Sequence, residues 1–258
     1  MRAETQLRRL QSNPGFSLTM SRHKSTHFER GHGFATLDHL LANAPWFSPL
    51  ETEVKGRVRA EMWEQSVPAN IALLRRGELP NHWYGVIGGL LKWSTTTVDG
   101  RSTTFGGMSP GSWFGEGTLW RGLPVPADVI ALQPSVVAVM PSHTFSWLCD
   151  TQLAFTHFLI QQVTERMYWF MEGWGTYRTL DAEGQVSRAL AGLFHPWLYP
   201  HGSRYVAVSQ EEIANLAGVS RPRCNRALKR LEELGLLKLE YGGLTVVDLD
   251  GLRREAGC

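Results

Sequence analysis

From residue 34 onward the apolar positions fall into three regimes: short runs between turns, one long helical stripe, and a set of compact amphipathic segments. Thr36 followed by Leu37, Leu40 and Leu41 reads as a capped helix, and residues 49–62 read as a second. Strand-like runs follow over 71–74, 83–87, 90–98, 103–105 and 129–140, the last with many β-branched residues. Turn sequences such as Arg75-Arg76-Gly77-Glu78, Gly88-Gly89, Asp99-Gly100 and Gly106-Gly107 separate them, and eleven of the 26 glycines lie between Gly77 and Gly122. Short runs with glycine at the corners predict an antiparallel sandwich or roll.

After Asp150 the β pattern stops. Cys149, Leu153, Thr156, Ile160, Val163, Met167, Phe170, Trp174 and Tyr177 recur at alternating steps of four and three, a heptad seam over four heptads. A seam of that length predicts a dimerisation helix, with Ile160, Val163, Met167, Phe170 and Trp174 at the dimer interface. The other reading is a helix packed on its own domain, because Phe155, Phe158, Leu159 and Trp169 widen the apolar face. Gly173 and Gly175 weaken its last turns by about 1 kcal/mol each against alanine.

The carboxy-terminal pattern is more specific. Asp181 caps a helix through Val186 and Leu190 that Pro196 ends, and residues 205–208 form a short strand. Ser209 and Glu212, three apart, form a capping box in which each satisfies the other's backbone N–H. Ile213, Leu216 and Ala217 face inward, Gly218 turns the chain, and Ser220 with Pro222 opens the next helix. That helix runs through Ala227, Leu228, Leu231 and Leu234 and stops at Gly235. Two short helices joined in this way are a helix-turn-helix. Residues 236–240 and 244–247 around Tyr241-Gly242-Gly243 make a hairpin, a wing beside the second helix.

Charge sharpens that reading. The formal charge is +2; residues 1–33 hold six Lys or Arg against two Glu, and the rest holds 20 against 22. The leading segment reads as a flexible basic arm. Residues 221–230 carry Arg221, Arg223, Arg226, Lys229 and Arg230 with no acid, on a helix whose inner positions stay aliphatic. Such a face suits double-stranded DNA. Arg221 and Arg226, near the helix start, are placed to read base edges, while Arg223, Lys229, Arg230, Ser209 and Ser220 meet the phosphate backbone. No apolar run reaches the ~18 residues of a membrane span. Three scattered cysteines make neither a disulfide framework nor a metal spacing, so the expectation is a cytoplasmic protein with no metal. Nucleophile-elbow, phosphate-loop and His-Glu-x-x-His motifs are absent from the sequence, so no enzyme is expected and no catalytic residue is nominated.

VSQEEIANLAGVSRPRCNRALKRLEELGLL at 208–237 and GSWFGEGTLW at 111–120 together resemble the cyclic-AMP-receptor/fumarate-nitrate-regulator (Crp/Fnr) family of transcription regulators. The resemblance spans roughly residues 35–250. It implies an α+β chain: a cyclic-nucleotide-binding-like antiparallel β-roll over 34–150, a dimerisation helix over 151–180 and a winged helix-turn-helix over 181–258. It further implies a homodimer on a near-palindromic operator, an effector in the roll and, for an activator, contact with RNA polymerase; no membrane is involved. Arg221 and Arg226 match two base-reading positions of the family, and Pro222 replaces a glutamate often found between them.

At the effector site the chain departs from the family. Glu116 matches the residue that holds a ribose hydroxyl, but Pro124-Val125-Pro126-Ala127 stands where cyclic-AMP binders carry an arginine and a small hydroxyl residue. A part-buried phosphate without a cation is heavily penalised, which speaks against cyclic AMP unless Arg121 or Arg166 supplies the charge. An iron–sulfur cluster needs more thiolates than three scattered ones. Haem would need His82 or His143 as an axial ligand. The expected effector is small and hydrophobic or aromatic, in a pocket of Glu116, Trp113, Phe170 and Trp174, with Trp83, Trp93 and Trp120 nearby. The competing reading is that these aromatics simply fill the roll. An alternative function is a ligand- or redox-sensing regulator, with Cys224 as the oxidised thiol, whose DNA binding is constitutive or secondary.

Overall fold

The computed structural model describes residues 36–97, 102–177, 179–199 and 203–257, without the side chains of 174–177. The basic arm expected at 1–33 lies outside the described residues, as do the side chains of Trp174 and Tyr177.

Thr36 accepts from the His39 backbone N–H at 3.2 Å and starts α1 (Leu37–Ala42); α2 (Thr52–Glu61) follows. Eight strands come next: β1 (Trp63–Val67), β2 (Ala72–Leu74), β3 (His82–Gly88), β4 (Leu91–Thr96), β5 (Ser102–Met108), β6 (Trp113–Phe114), β7 (Asp128–Ala131) and β8 (Ser135–Pro141). They form two four-stranded sheets, β1-β8-β3-β6 and β2-β7-β4-β5, with every pairing antiparallel. The expected roll is therefore present, with two differences. The run at 129–140 is two strands in opposite sheets, divided before Pro134, which cannot donate to a ladder. Strand β1 carries four exposed residues out of five and pairs with β8 from Trp63↔Val139 to Val67↔Ser135. An edge strand held by backbone pairing alone leaves no apolar alternation to read.

Between β6 and β7 lies α3 (Glu116–Arg121), and after β8 come α4 (Ser142–Thr151) and α5 (Leu153–Tyr177). Gln152 is extended, φ −119° and ψ 93°, so the expected seam is broken near its start and Cys149 belongs to α4. Beyond that break the helix has two distinct faces, one packed on its own domain and one bare. Phe155, Phe158, Leu159 and Gln162 are buried, while Leu153, Ile160, Val163, Met167 and Phe170 are 46–70% exposed.

Trp46 is the centre of the first core, edge-on to Trp83, Trp113 and Phe155 at centroid distances of 5.1–5.5 Å. Trp83 and Trp113 stack at 4.5 Å. Rings in these arrangements add about 0.5–1.5 kcal/mol per pair beyond burial. Three of the ten tryptophans thus knit α5 and the segment after α1 to the β3 sheet.

The carboxy-terminal unit comprises α6 (Ala182–Gly192), β9 (Tyr205–Val206), α7 (Gln210–Ala217), α8 (Arg221–Glu233), β10 (Leu237–Glu240), β11 (Gly243–Val246) and α9 (Leu249–Glu255). Asp181 and Asp248 cap α6 and α9 through the N–H groups of Gly184 and Gly251, each at 2.9 Å. Helix α9 was not foreseen: its seven residues carry one buried leucine, Leu252, and present no long apolar stripe. The unit also packs on the roll. Leu90 belongs to its buried cluster, and a Cβ on Gly107 of β5 would come within 2.5 Å of Leu193.

Candidate nucleic-acid interface and effector cavity

Helix α7 ends at Gly218, whose φ of +64° makes the left-handed turn that lets α8 begin three residues later. Ile213, Ala214 and Ala217 from α7 and Cys224, Ala227, Leu228 and Leu231 from α8 are all at most 3% exposed. That shared core fixes the angle of α8. At 100° per residue, Arg226 and Lys229 point directly away from the buried stripe, Arg223 and Arg230 lie to one side, and Arg221 stands at the edge of the first turn. All five are exposed. Only Arg230 has an ion pair among the described residues, to Glu233 at 3.2 Å, and both partners are more than half exposed. Four cations therefore stand uncommitted among the described residues, with Arg221 and Arg223 in the first turn of the helix.

Ser220 occupies the N-cap position, but its hydroxyl makes no capping bond, and Pro222 fills the first turn. The Ser209 hydroxyl accepts from the Glu212 N–H at 3.2 Å, half of the expected capping box. The other half is not made, because the Glu212 carboxylate lies on Lys92 of β4. Glu232 accepts from the Leu239 N–H at 2.7 Å and ties α8 to the wing, where Gly242, φ +79°, turns β10 into β11. Cys224 is wholly buried, its thiol directed at the Gln210 carbonyl 3.7 Å away, and burial pushes its pKa up to about 11. The cysteine faces the core rather than the DNA side, with little thiolate to oxidise.

In the roll, a cavity of about 590 Å³ lies between the β2-β7-β4-β5 sheet, α3, the loop after it and α5. Its volume suits a small molecule. Trp93, Phe105, Phe114 and Phe170 supply aromatic walls, and Leu74, Val129 and Val163 aliphatic ones. Gly115, φ +104°, turns the chain into α3 and sends Glu116 inward, where it is 5% exposed. Arg166 of α5 reaches across to an ion pair with Glu116 and also donates to the Trp113 carbonyl. Trp83 donates from Nε1 to the second Glu116 oxygen at 3.3 Å, and the Arg166 guanidinium lies 5.2 Å over the Trp93 ring. The carboxylate nominated for a ribose hydroxyl is thus already satisfied by the protein.

Of the residues expected in or near the pocket from sequence, Glu116, Phe170 and Trp93 line the cavity. Trp113 does not: with Trp83 it is buried in the first core, and only its carbonyl reaches Arg166. Trp120 is 64% exposed outside the lining, and Trp174 falls outside the described side chains. Phe105 and Phe114 were missed in the sequence: Phe114 is buried on β6, and Phe105 is 44% exposed where the β4–β5 register shifts. At 124–127 no cation appears; Val125 turns inward, 6% exposed, and its backbone pairs with Gly77 and Glu78. Arg121 lines the rim and is exposed. Neither His82 nor His143 lines the cavity; His143 lies 3.3 Å from Glu61 on the surface.

A β-roll with an internal cavity, joined by a long helix to a winged helix-turn-helix with an open basic face, defines a DNA-binding regulator with a sensing domain. The chain matches the cyclic nucleotide-binding domain over residues 64–152 and the Crp-like helix-turn-helix domain over residues 184–255. It belongs to the Crp/Fnr family of transcription regulators. A CRP-like cAMP-activated global transcriptional regulator of Mycobacterium tuberculosis is 24% identical over 224 residues, 85% of this chain and 100% of the relative. FixK2 from Bradyrhizobium japonicum is 16% identical with a TM-score of 0.64, covering 75% of this chain and 96% of that one. The c-di-GMP responsive global regulator CLP of Xanthomonas campestris is 22% identical with a TM-score of 0.56, covering 76% and 99%. At these identities the two solved structures establish the fold. No helix among the described residues is long and apolar enough to cross a membrane.

Proposed function

We propose that this regulator is a cytoplasmic homodimer that binds a near-palindromic operator and is controlled by a small hydrophobic or aromatic effector in the roll. The observation that carries the DNA reading is α8: a fully buried inner face with four uncommitted cations outside it. Arg221 and Arg226 read base edges, and Arg223, Lys229, Arg230, Ser209 and Ser220 hold the phosphates. The bare seam of Ile160, Val163, Met167 and Phe170 supports the dimer, since contiguous exposed apolar residues mark an interface. Two such units put two α8 helices into successive major grooves. An activator of this form would also touch RNA polymerase.

The effector proposed here differs from the cyclic AMP named for the Mycobacterium relative. Glu116 is spent on Arg166, residues 124–127 bring no cation or hydroxyl, and four aromatic rings wall the cavity. Titration calorimetry with cyclic AMP is expected to show no tight complex; a micromolar one overturns this part. For DNA, Arg226→Ala is expected to weaken binding to a selected operator far more than to random duplex, because a bidentate arginine–guanine pair discriminates by about 1–3 kcal/mol. Equal loss on both sequences removes Arg226 from base reading.

A further inference from the structure

Glu212 has two partners on offer. The Ser209–Glu212 spacing pairs its carboxylate with the backbone N–H of Ser209, and the hydroxyl half of that box is in place at 3.2 Å. Instead the carboxylate lies bidentate on the Lys92 ammonium, 120 residues away, at 2.8 and 2.6 Å. The Lys92 side chain is 9% exposed and sits among Leu90, Leu132, Leu193, Val208, Ile213 and Leu216. Lysine is almost never buried this deeply without a partner, and Glu212 is the acid it meets. Leu193 against Gly107 already packs closely at this contact, and the part-buried, directional pair adds a second constraint on how the helix-turn-helix docks.

The contact also borders a cleft. Beside the pair the seam opens into a cavity of about 600 Å³ lined by Thr104, Trp169, Tyr199 and Leu216, and the Thr104 hydroxyl is buried there without a partner. On separation Glu212 is not stranded, because it can complete its own capping box while Lys92 turns to water. In the docked arrangement Ser209, Arg221, Arg223, Arg226 and Lys229 all stay exposed, so docking presents the DNA-binding face.

We infer that Lys92 is a positioning residue for DNA binding: through Glu212 it clasps the helix-turn-helix to the roll in the pose that presents α8. Release exchanges the clasp for the capping box. The inference rests on the DNA-binding reading of α8, and its test separates the two.

The full-length protein is first used to select a duplex from random sequence. Lys92→Met and Glu212→Gln are then each expected to weaken binding to that duplex by about tenfold in a fluorescence anisotropy titration. The charge-swapped pair Lys92→Glu with Glu212→Lys is expected to recover most of the loss. The slope of log affinity against log salt stays at the wild-type value, because no phosphate contact is removed. Spin labels at Leu79→Cys in the roll and Tyr241→Cys in the wing, with Cys258→Ser, are expected to give a broader distance distribution in Lys92→Met than in the parent. If Glu212 acted only as an acid repelling phosphates, Glu212→Gln would tighten binding. That outcome, variants that bind like wild type, or an unchanged label distribution each overturns the clasp and leaves DNA binding standing. A wild-type protein that binds no duplex overturns the DNA reading instead, while the label distances still decide the clasp.

Discussion

Arg166→Met tests whether Glu116 belongs to the protein or to a ligand. The two side chains are 13% and 7% exposed, so the substitution leaves a carboxylate in the cavity wall with only the Trp83 N–H, 3.3 Å away, to satisfy it. Removing one partner of a buried pair costs about 3–5 kcal/mol. The Trp113 carbonyl adds little to that cost, because Gln162 still donates to it at 3.0 Å. Glu116→Gln in the Arg166→Met background takes away the stranded charge and keeps an oxygen for Trp83. The double variant should therefore lose only about 1–2 kcal/mol, the scale of an imperfectly paired neutral group. At roughly 3–4 °C per kcal/mol for a unit of this size, the single variant melts about 9–20 °C low and the double about 3–8 °C low. Tryptophan fluorescence isolates the event, since all ten tryptophans precede residue 198 and three of them pack around this site. If single and double variants melt together, charge burial is not what Arg166 relieves, and Glu116 returns as a candidate for a ligand hydroxyl.

Three further outcomes are expected. Met167→Glu, at a 51% exposed position of the seam, should leave the melting of the roll unchanged while sedimentation shows monomers and operator binding is lost; a dimer with intact binding removes the seam from the interface. Cys224, with its pKa pushed up to about 11 by burial, should resist alkylation at pH 8 in the native protein, and peroxide should leave DNA binding intact; rapid labelling at Cys224, read by peptide mass, revives redox sensing. Glu61 is held below its ordinary 4.5, first by the Thr144 hydroxyl and then by Arg57 and His143, against burial that raises it. A depressed carboxylate stabilises the fold above its unfolded pKa and loses that contribution as pH falls through the folded value. Melting temperature should accordingly drop between pH 5 and 3, and Glu61→Gln should flatten the drop; parallel curves would show that Glu61 does not link α2 to α4.

How much was legible in the sequence depended on whether local pattern or distant pairing set each element. Helix α8 was readable to its ends, because Ser220, Pro222, an aliphatic stripe and Gly235 are all local signals and its cations have no folding role. The strands β2 to β5 and the wing were readable from turns. Strand β1 was not, since only its partner β8 makes it a strand. The break at Gln152 also escaped, because apolar residues continue in heptad register across it. Tryptophan misled in the effector site. Side-chain chemistry suggested that the large rings line a pocket, yet Trp83 and Trp113 point to the core side of their sheet, while Phe114, next to Trp113, and Trp93, in the other sheet, point to the cavity. A one-residue difference in strand register separates the fates of Trp113 and Phe114. Lys92 was silent for the same reason: a single lysine in a strand announces nothing until Glu212, 120 residues on, is brought to it.

The long helix links the two halves of the proposed function, and it does so through shared residues. On α5 the buried face holds Phe155, Phe158 and Leu159 against the roll, so the helix moves with the sheet it packs on. Its other face is the bare seam. Val163 and Phe170 belong to that seam and also line the effector cavity, with Arg166 between them anchored to Glu116. A partner helix laid on the seam would therefore complete a wall of the cavity, and an effector inside it would press on side chains that meet the partner. Phe170 also lines the second cavity, beside the clasp between Lys92 and Glu212. An effector in the first cavity, a partner helix on the seam and the winged unit would thus all meet one aromatic side chain. Coupling of this kind requires differential contact in two states, and Phe170→Ala separates it from mere proximity. Loss of effector response with dimerisation and effector-free DNA binding intact places the coupling at Phe170; an unaltered response places it elsewhere on α5.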